Sequence, residues 1–172
     1  MRYMKTIIAF LACVLTCLVQ AEKIDNVYFF NRKDAITDAN KSSLVLPEVN
    51  DTIGSTAIFF YCGKVFPNLE IHTKNLLYSQ KDYDSGILPK ATYRIDSNLP
   101  IDINFEALYK NGVRDYTMVA VPDIFAISMY RDLLMAKNKV AIRIYRPNLP
   151  ELTYTFSAKG VLKAHDRIRK CK

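Results

Sequence analysis

The chain has 172 residues with 24 Lys or Arg and 17 Asp or Glu, so its formal net charge is +7. Half of its residues are hydrophobic, and it contains only 5 glycines and 2 histidines. The sequence has no low-complexity stretch, and its composition argues against phosphate-cradling glycine loops and histidine-rich metal sites.

The first 21 residues have the pattern of a removable export signal. Arg2 and Lys5 give a basic start, residues 6–18 are almost wholly apolar, and Val19-Gln20-Ala21 supplies the small residues that a signal peptidase recognises. The apolar run is shorter than the roughly 20 residues of a membrane span. We therefore predict a signal peptide over residues 1–21, cleavage after Ala21, and a periplasmic or secreted protein.

The remaining residues, 22–172, are predicted to form a single β-rich exported domain. Removal of the signal leaves a net charge of about +5, which suits an anionic partner such as a membrane surface, lipopolysaccharide, the cell wall or an acidic protein. Export argues against nucleic acid, and we expect no stable membrane span after cleavage. A retained anchor, or a lipid anchor on Cys13 or Cys17, is the alternative.

Four stretches of the domain predict strands because strand-forming residues are concentrated there and apolar residues alternate with polar ones. They cover residues 55–61, 69–73, 90–95 and 116–121. In the first, Ile58, Phe60 and Cys62 share one face, since successive side chains of a strand point to opposite sides. A turn over residues 96–100 follows the third strand.

Helical spacing begins after Pro122. Apolar residues recur every three to four positions over residues 123–137 and predict a helix there. Residues 140–145 and 152–157 alternate like two strands of a hairpin. A short second helix is predicted over residues 160–170.

The last predicted helix has two opposite faces. Its apolar stripe comprises Val161, Ala164, His165, Ile168 and Cys171, and its basic face comprises Lys159, Lys163, Arg167 and Lys170. We interpret the basic face as a candidate surface for an anionic partner, with an ordinary solvated face as the alternative.

The predicted fold class is mainly β (α+β), with one antiparallel β-sandwich or bent sheet, two helices and one disulfide. The disulfide joins Cys62 to Cys171, because these two cysteines remain after cleavage and an oxidising compartment favours their pairing. Two free thiols or a metal site are the alternatives. Because only His72 and His165 could add imidazole ligands, we predict no metal and no cofactor.

The histidines and the acidic turn lack the context that catalysis or calcium binding requires. Residues 82–86 resemble the start of a calcium loop, but the ligand position twelve places on is Tyr93 rather than Glu, so a surface turn is predicted. No motif sets a nucleophile beside His165, which we expect to be a partly buried, hydrogen-bonded structural residue. His72 is expected on a solvated strand face.

Three carboxylates are candidates for acid–base groups. Glycoside hydrolysis needs a pair, and Glu70, Glu106 and Asp96 are available, but nothing in the sequence brings two of them together. We therefore predict no catalytic residues and no enzymatic activity.

The order of several short motifs resembles a known family. An exported start is followed by Ile36-Thr37-Asp38, a mid-chain Cys62, Tyr93-Arg94-Ile95-Asp96, and a C-terminal run from Thr155 to Gly160 before a helix ending on Cys171. This is similar to small periplasmic proteins of the VasI type, associated with type VI secretion gene clusters, and to the related invasion-associated locus B group. The chain differs in having no tryptophan.

The resemblance implies a β-rich, disulfide-closed envelope protein without known catalysis. We therefore expect a non-enzymatic accessory or binding protein of the cell envelope, with an association to a secretion system as one form of that role. A secreted inhibitor or immunity protein against an envelope-targeting enzyme is the first alternative. A small envelope hydrolase is the second.

Overall fold

The computed structural model describes residues 20–62, 68–110 and 112–168. Across these ranges eleven strands form two antiparallel sheets, accompanied by three helices, so the prediction of a mainly β chain is confirmed. Most of the predicted signal, residues 1–19, lies outside the described residues. Lys170 and Cys171 lie outside them as well.

The strands are β1 (Gln20–Ile24), β2 (Val27–Asn31), β3 (Ser43–Pro47), β4 (Ala57–Tyr61), β5 (Asn68–His72), β6 (Lys90–Ile95), β7 (Ile101–Asn104), β8 (Glu106–Lys110), β9 (Val113–Val121), β10 (Lys139–Tyr145) and β11 (Leu152–Ser157). The helices are α1 (Gln80–Asp84), α2 (Asp123–Met135) and α3 (Val161–Ile168).

The larger sheet has seven described strands in the order β1-β2-β3-β4-β5-β9-β8, and the smaller has four in the order β11-β10-β6-β7. The two sheets meet just beyond β3. There Glu48 forms a bridge with Phe156, and the Val49 N–H donates to the Thr155 carbonyl at 2.9 Å. The end of β3 is therefore held against the edge of β11.

The alternation of side chains decides which face of each sheet is buried. In β10, Val140, Ile142 and Ile144 are completely buried, whereas Lys139 and Arg143 are exposed. Apolar residues of both sheets, α2 and α3 form one contiguous core. Burial of each large aliphatic side chain in it contributes about 1.5–3 kcal/mol relative to exposure.

Most of the strands and helices predicted from periodicity are confirmed. The predicted hairpin is confirmed as β10 and β11, in which Ile142 lies opposite Tyr154. The helices predicted over residues 123–137 and 160–170 appear as α2 and α3, and α3 buries Val161, Ala164 and Ile168.

The prediction of two helices is wrong, because residues 80–84 form the additional helix α1. The surface turn assigned to residues 82–86 is therefore partly helical. Ser79 and Asp82 form a reciprocal capping box, in which each side chain accepts a hydrogen bond from the backbone N–H of the other residue. Such a box stabilises the first turn of even a short helix.

Within the described ranges no helix has the length and the apolar character needed to cross a bilayer.

Candidate functional site

A groove of about 480 Å³ lies where the β1–β2 turn, the end of β3 and the β10–β11 hairpin meet. Its volume falls within the usual range of small-ligand sites, roughly 300–1,000 Å³. Lys23, Lys139 and Lys159 line it, and we call these three residues the groove lysines.

Two hairpins position the three groove lysines. Lys23 lies on β1 opposite Tyr28, with its Nζ 5.6 Å from the centre of the Tyr28 ring. Lys139 begins β10 opposite Ser157, the last residue of β11. Lys159 follows two residues later, so the β10–β11 hairpin carries two of the three lysines at one end.

Hydrogen bonds fix the backbone around Lys159. Its N–H donates to the Ser157 hydroxyl at 3.3 Å, and its carbonyl accepts from the Asn26 N–H at 3.3 Å. The Asn26 side-chain amide also donates to the Ser157 hydroxyl, at 2.9 Å. The β1–β2 turn is thereby attached to the end of β11, and neutral polar groups lie beside the lysines.

The groove has an excess of positive charge. No groove lysine forms an ion pair with any residue in the described part of the chain. The carboxylate in the lining, Glu48, is 9 % exposed and accepts from the Asn50 N–H at 2.7 Å and the Thr155 N–H at 3.4 Å. Three cations therefore share the groove with one carboxylate whose oxygens are already hydrogen-bonded.

The predicted basic face of the last helix is divided by the fold. Lys163 pairs with Asp25 at 2.9 Å and Arg167 with Glu22 at 3.1 Å, whereas Lys159 lies in the groove. Lys170 is outside the described residues. The sequence thus identified one groove lysine but grouped it with two cations that attach α3 to the β1–β2 hairpin.

Both histidines occupy structural positions. The His165 Nδ1 lies 2.9 Å from the Tyr130 hydroxyl, and its side chain is partly buried, which confirms the predicted hydrogen-bonded role. His72 is also partly buried rather than simply solvated. Its Nε2 lies 2.8 Å from a Glu70 carboxylate oxygen, and its ring lies 4.2 Å from that of Phe59.

The fold brings two of the three candidate carboxylates to the same sheet face. Glu70 and Glu106 are both opposite Ala120 of β9, one on each side, so their side chains share a face two strands apart. Glu70 is already engaged by His72, and Glu106 is exposed. Glu106 therefore lacks the burial that is typical of the general acid in such a carboxylate pair.

A tyrosine cluster around Arg114 was missed by the sequence analysis. The Arg114 guanidinium carbon lies 3.2 Å from the centre of the Tyr83 ring, and its Nη2 donates to the Tyr109 hydroxyl at 3.0 Å. Hydrogen bonds from Tyr83 and Arg114 lower the pKa of Tyr109 below its ordinary value. These contacts attach α1 to the β8–β9 hairpin, and no sequence pattern pairs residues from elements so far apart in the chain.

Among the described residues, no group of three or more His, Cys, Asp or Glu side chains could hold a metal ion. Comparison of the chain with models of protein families, with curated proteins and with solved structures finds no match.

Proposed function

We propose that the protein is an exported, non-enzymatic binding or accessory protein of the cell envelope, and that the groove lysines hold an anionic group of its partner. One observation supports this proposal: Lys23, Lys139 and Lys159 converge on the groove without forming ion pairs with described residues. The hydroxyl of Ser157 and the side-chain amide of Asn26 lie beside them. Ammonium groups and neutral donors together suit a phosphate or carboxylate. A place beside a secretion system, as in the VasI-like proteins, is one form of this role.

The groove is tested by titrating inorganic polyphosphate into the protein in a calorimeter at low ionic strength. The triple variant Lys23→Gln, Lys139→Gln, Lys159→Gln should bind at least about tenfold more weakly, because three cations contribute to one site. Glutamine keeps most of the length of the side chain and removes its charge.

The matched control is the double variant Lys163→Gln, Arg167→Gln, which also removes cations but takes them from ion pairs with Asp25 and Glu22. It should bind within about threefold of the unmodified protein, since exposed pairs contribute little beyond their own contact. Equal losses in the two variants would show general charge attraction and no groove site.

We also propose that the two sheets close as a sandwich clasped by a disulfide between Cys62 and Cys171. Cys62 is 8 % exposed, and its N–H donates to the Ser42 carbonyl at 2.9 Å. Phe60 lies on the same strand face, and its ring is 5.0 Å from that of Tyr130 on α2. This face of β4 is thus the one covered by helices.

The direction of α3 supports the same pairing. Lys163 pairs with Asp25 and, one turn later, Arg167 pairs with Glu22, so α3 runs along β1 towards Ala21. A further helical turn beyond Arg167 would rise about 6 Å, which is about two residues along a strand. Two residues beyond Glu22 is Gln20, opposite Asn31, whose side-chain oxygen accepts a hydrogen bond from the Ser42 hydroxyl at 3.3 Å. The Ser42 carbonyl in turn accepts from the Cys62 N–H, so this is the level of Cys62.

Non-reducing peptide mapping of exported protein tests this pairing. The peptide containing Cys62 should be recovered joined to the C-terminal peptide containing Cys171, and reduction should separate them. Recovery of both peptides with alkylated free thiols before reduction would refute the disulfide.

A further inference from the structure

A second cavity lies beside the groove, on the outer face of the smaller sheet. It has a volume of about 260 Å³, and its lining includes Arg94 of β6 together with Ala141 and Arg143 of β10. The groove residue Lys139 is on the same face of β10, because side chains two residues apart on a strand point to the same side. The buried apolar residues of β10 are on the opposite face. The groove and the second cavity therefore open on one side of the sheet.

The strand register shows that the two cavities adjoin. Thr155, which lines the groove, lies opposite Ala141, which lines the second cavity, and Ala141 lies opposite Arg94. Residues directly opposite each other on one face have Cβ atoms about 5 Å apart. The row that connects the cavities thus carries the small side chains of Thr155 and Ala141. We call the groove and the second cavity, joined through these two residues, the binding channel.

The binding channel has cations at both ends. The groove lysines lie at one end, and Arg94 and Arg143 lie at the other. Arg94 forms no ion pair with a residue in the described ranges, whereas Arg143 pairs with Glu151 at 3.5 Å. Lys139 and Arg143 are four residues apart on β10, which is about 13 Å along a strand. A single phosphate or carboxylate group is therefore too small to contact both ends.

The carboxylates on and near this face are already engaged within the fold. The lining of the two cavities contains five cations and one carboxylate, the hydrogen-bonded Glu48. Asp102 lies opposite Thr92 and accepts a hydrogen bond from the Thr92 hydroxyl. Asp96, directly after β6, accepts from three backbone N–H groups at the start of β10. The binding channel consequently keeps an excess of positive charge along its length and suits an extended anionic chain.

The neutral side chains between the two ends indicate the chemistry of that chain. The hydroxyl residues Thr153, Thr155 and Ser157 occupy alternate positions on the outer face of β11, whose other face buries Tyr154 and Phe156. A hydroxyl group can both donate and accept a hydrogen bond, so this row matches the hydroxyl groups of a sugar. Lysine and arginine at the ends match the acidic groups of the same polymer.

Other extended polyanions fit the binding channel less well. A peptide that adds to a sheet needs free backbone groups at a strand edge, but β10 is paired with β11 on one side and with β6 on the other. Single-stranded nucleic acid is typically held by successive aromatic rings on which the bases stack. Tyr28 lies in the groove and Tyr145 in the second cavity, whereas the stretch between them offers hydroxyl and methyl groups.

We propose that the binding channel holds a linear acidic polysaccharide, with one anionic sugar on the groove lysines and another beside Arg94 and Arg143. This inference rests on the proposed function, because it extends the same groove, and it names the partner as an anionic glycan.

Calorimetric titration with galacturonate oligomers at low ionic strength tests this extension. Tetragalacturonate should bind at least about tenfold more tightly than monogalacturonate, because it can contact both cationic ends at once. Arg94→Gln should reduce this advantage to less than about threefold, since it removes the unpaired cation at one end. Ala141→Phe should have the same effect without removing a charge, because its ring fills the row between the two cavities.

The matched control is Lys90→Gln, which removes an exposed cation of β6 that lines neither cavity. It should leave the advantage of tetragalacturonate unchanged. Equal effects of Arg94→Gln and Lys90→Gln would overturn the binding channel, as would equal affinities for the two galacturonates. Tighter binding of an oligothymidylate of the same charge would overturn the polysaccharide as its ligand.

Polyphosphate binding separates a failure of the binding channel from a failure of the proposed function. If the length dependence is absent but the groove triple variant still loses polyphosphate affinity, the extension is refuted and the groove remains. If the triple variant binds polyphosphate like the unmodified protein, the proposed function fails as well.

Discussion

At the scale of single residues, Asp96 shows how one carboxylate can organise a turn. It has a positive φ of 49°, and its carboxylate accepts from the N–H groups of Lys137, Asn138 and Lys139 at 2.7, 3.0 and 2.9 Å. From the sequence alone, Asp96 is one of three carboxylates available for acid–base chemistry. The three donors instead make it the residue that fixes the start of β10, and with it the position of Lys139 in the groove.

The same hydrogen bonds predict a pH-dependent stability. They hold the pKa of the Asp96 carboxyl below its ordinary value of 3.8 by stabilising the charged form. Because the folded pKa is lowered, this contribution is complete above the unfolded pKa and is lost as the pH falls through the folded pKa. Asp96→Asn should therefore reduce the free energy of unfolding by about 1–2 kcal/mol at neutral pH, since charged hydrogen bonds become neutral ones.

Urea denaturation at several pH values measures this effect. Asparagine tolerates the positive φ, so the variant isolates the charge from backbone strain. The difference between Asp96→Asn and the unmodified protein should shrink below about pH 4. A difference that stays constant down to pH 2 would contradict the role given to the carboxylate.

At the scale of elements, a close backbone contact sets α3 against the β1–β2 hairpin. Gly160 precedes α3 with a φ of +100°, and a Cβ built on it would lie 2.2 Å from the Ile24 carbonyl oxygen. Only glycine permits this approach. The contact matters for the groove because it lies next to Lys159.

Substitution of Gly160 should therefore lower the free energy of unfolding by more than a strained φ alone would. Gly160→Ala should lower the free energy of unfolding by at least about 2 kcal/mol, because it combines a disfavoured φ with a clash against backbone. The control Gly86→Ala has a similar positive φ of +72° but no atom within 4 Å of the added Cβ, so it should cost about 1 kcal/mol. Thermal denaturation of both variants gives the comparison, and equal losses would show that the contact with Ile24 is unimportant.

The elements also show what the sequence can and cannot reveal. The alternation of apolar and polar residues predicts β10 and β11, because one face of each strand is buried and the other is more exposed. It gave no signal for β3, since Ser43, Leu44, Val45 and Leu46 are buried in succession, on both faces of the sheet. Helix α1 was missed although Ser79 and Asp82 have the spacing of a capping box, because its single turn is too short for helical periodicity.

The candidate site was only partly predictable for a related reason. The spacing of α3 selected Lys159 together with Lys163 and Arg167, since residues three or four apart share a helical face. Lys23 and Lys139 are far from Lys159 in the sequence. They reach the groove only because β1 and β10 belong to different sheets that meet at the end of β3.

At the scale of the whole molecule, the distribution of ion pairs and the proposed disulfide both bear on the groove. The fold pairs Lys163 and Arg167 of α3 with Asp25 and Glu22 and leaves the groove lysines without ion pairs in the described ranges, so the groove keeps an excess of positive charge. The proposed disulfide would close about 110 residues and stabilise the fold by up to about 4–5 kcal/mol in the chain-entropy model. It would also hold α3, and therefore Lys159, against the larger sheet.

Chemical-shift mapping with inorganic polyphosphate tests the central claim most directly, because it locates the bound anion without any substitution. The backbone amide signals of Asn26, Ser157 and Lys159 should shift first and saturate together as the ligand is added. Those of Lys163 and Arg167 on α3 should change little, since their side chains are held by Asp25 and Glu22. Shifts confined to α3, or no saturable shift at the groove, would contradict the account.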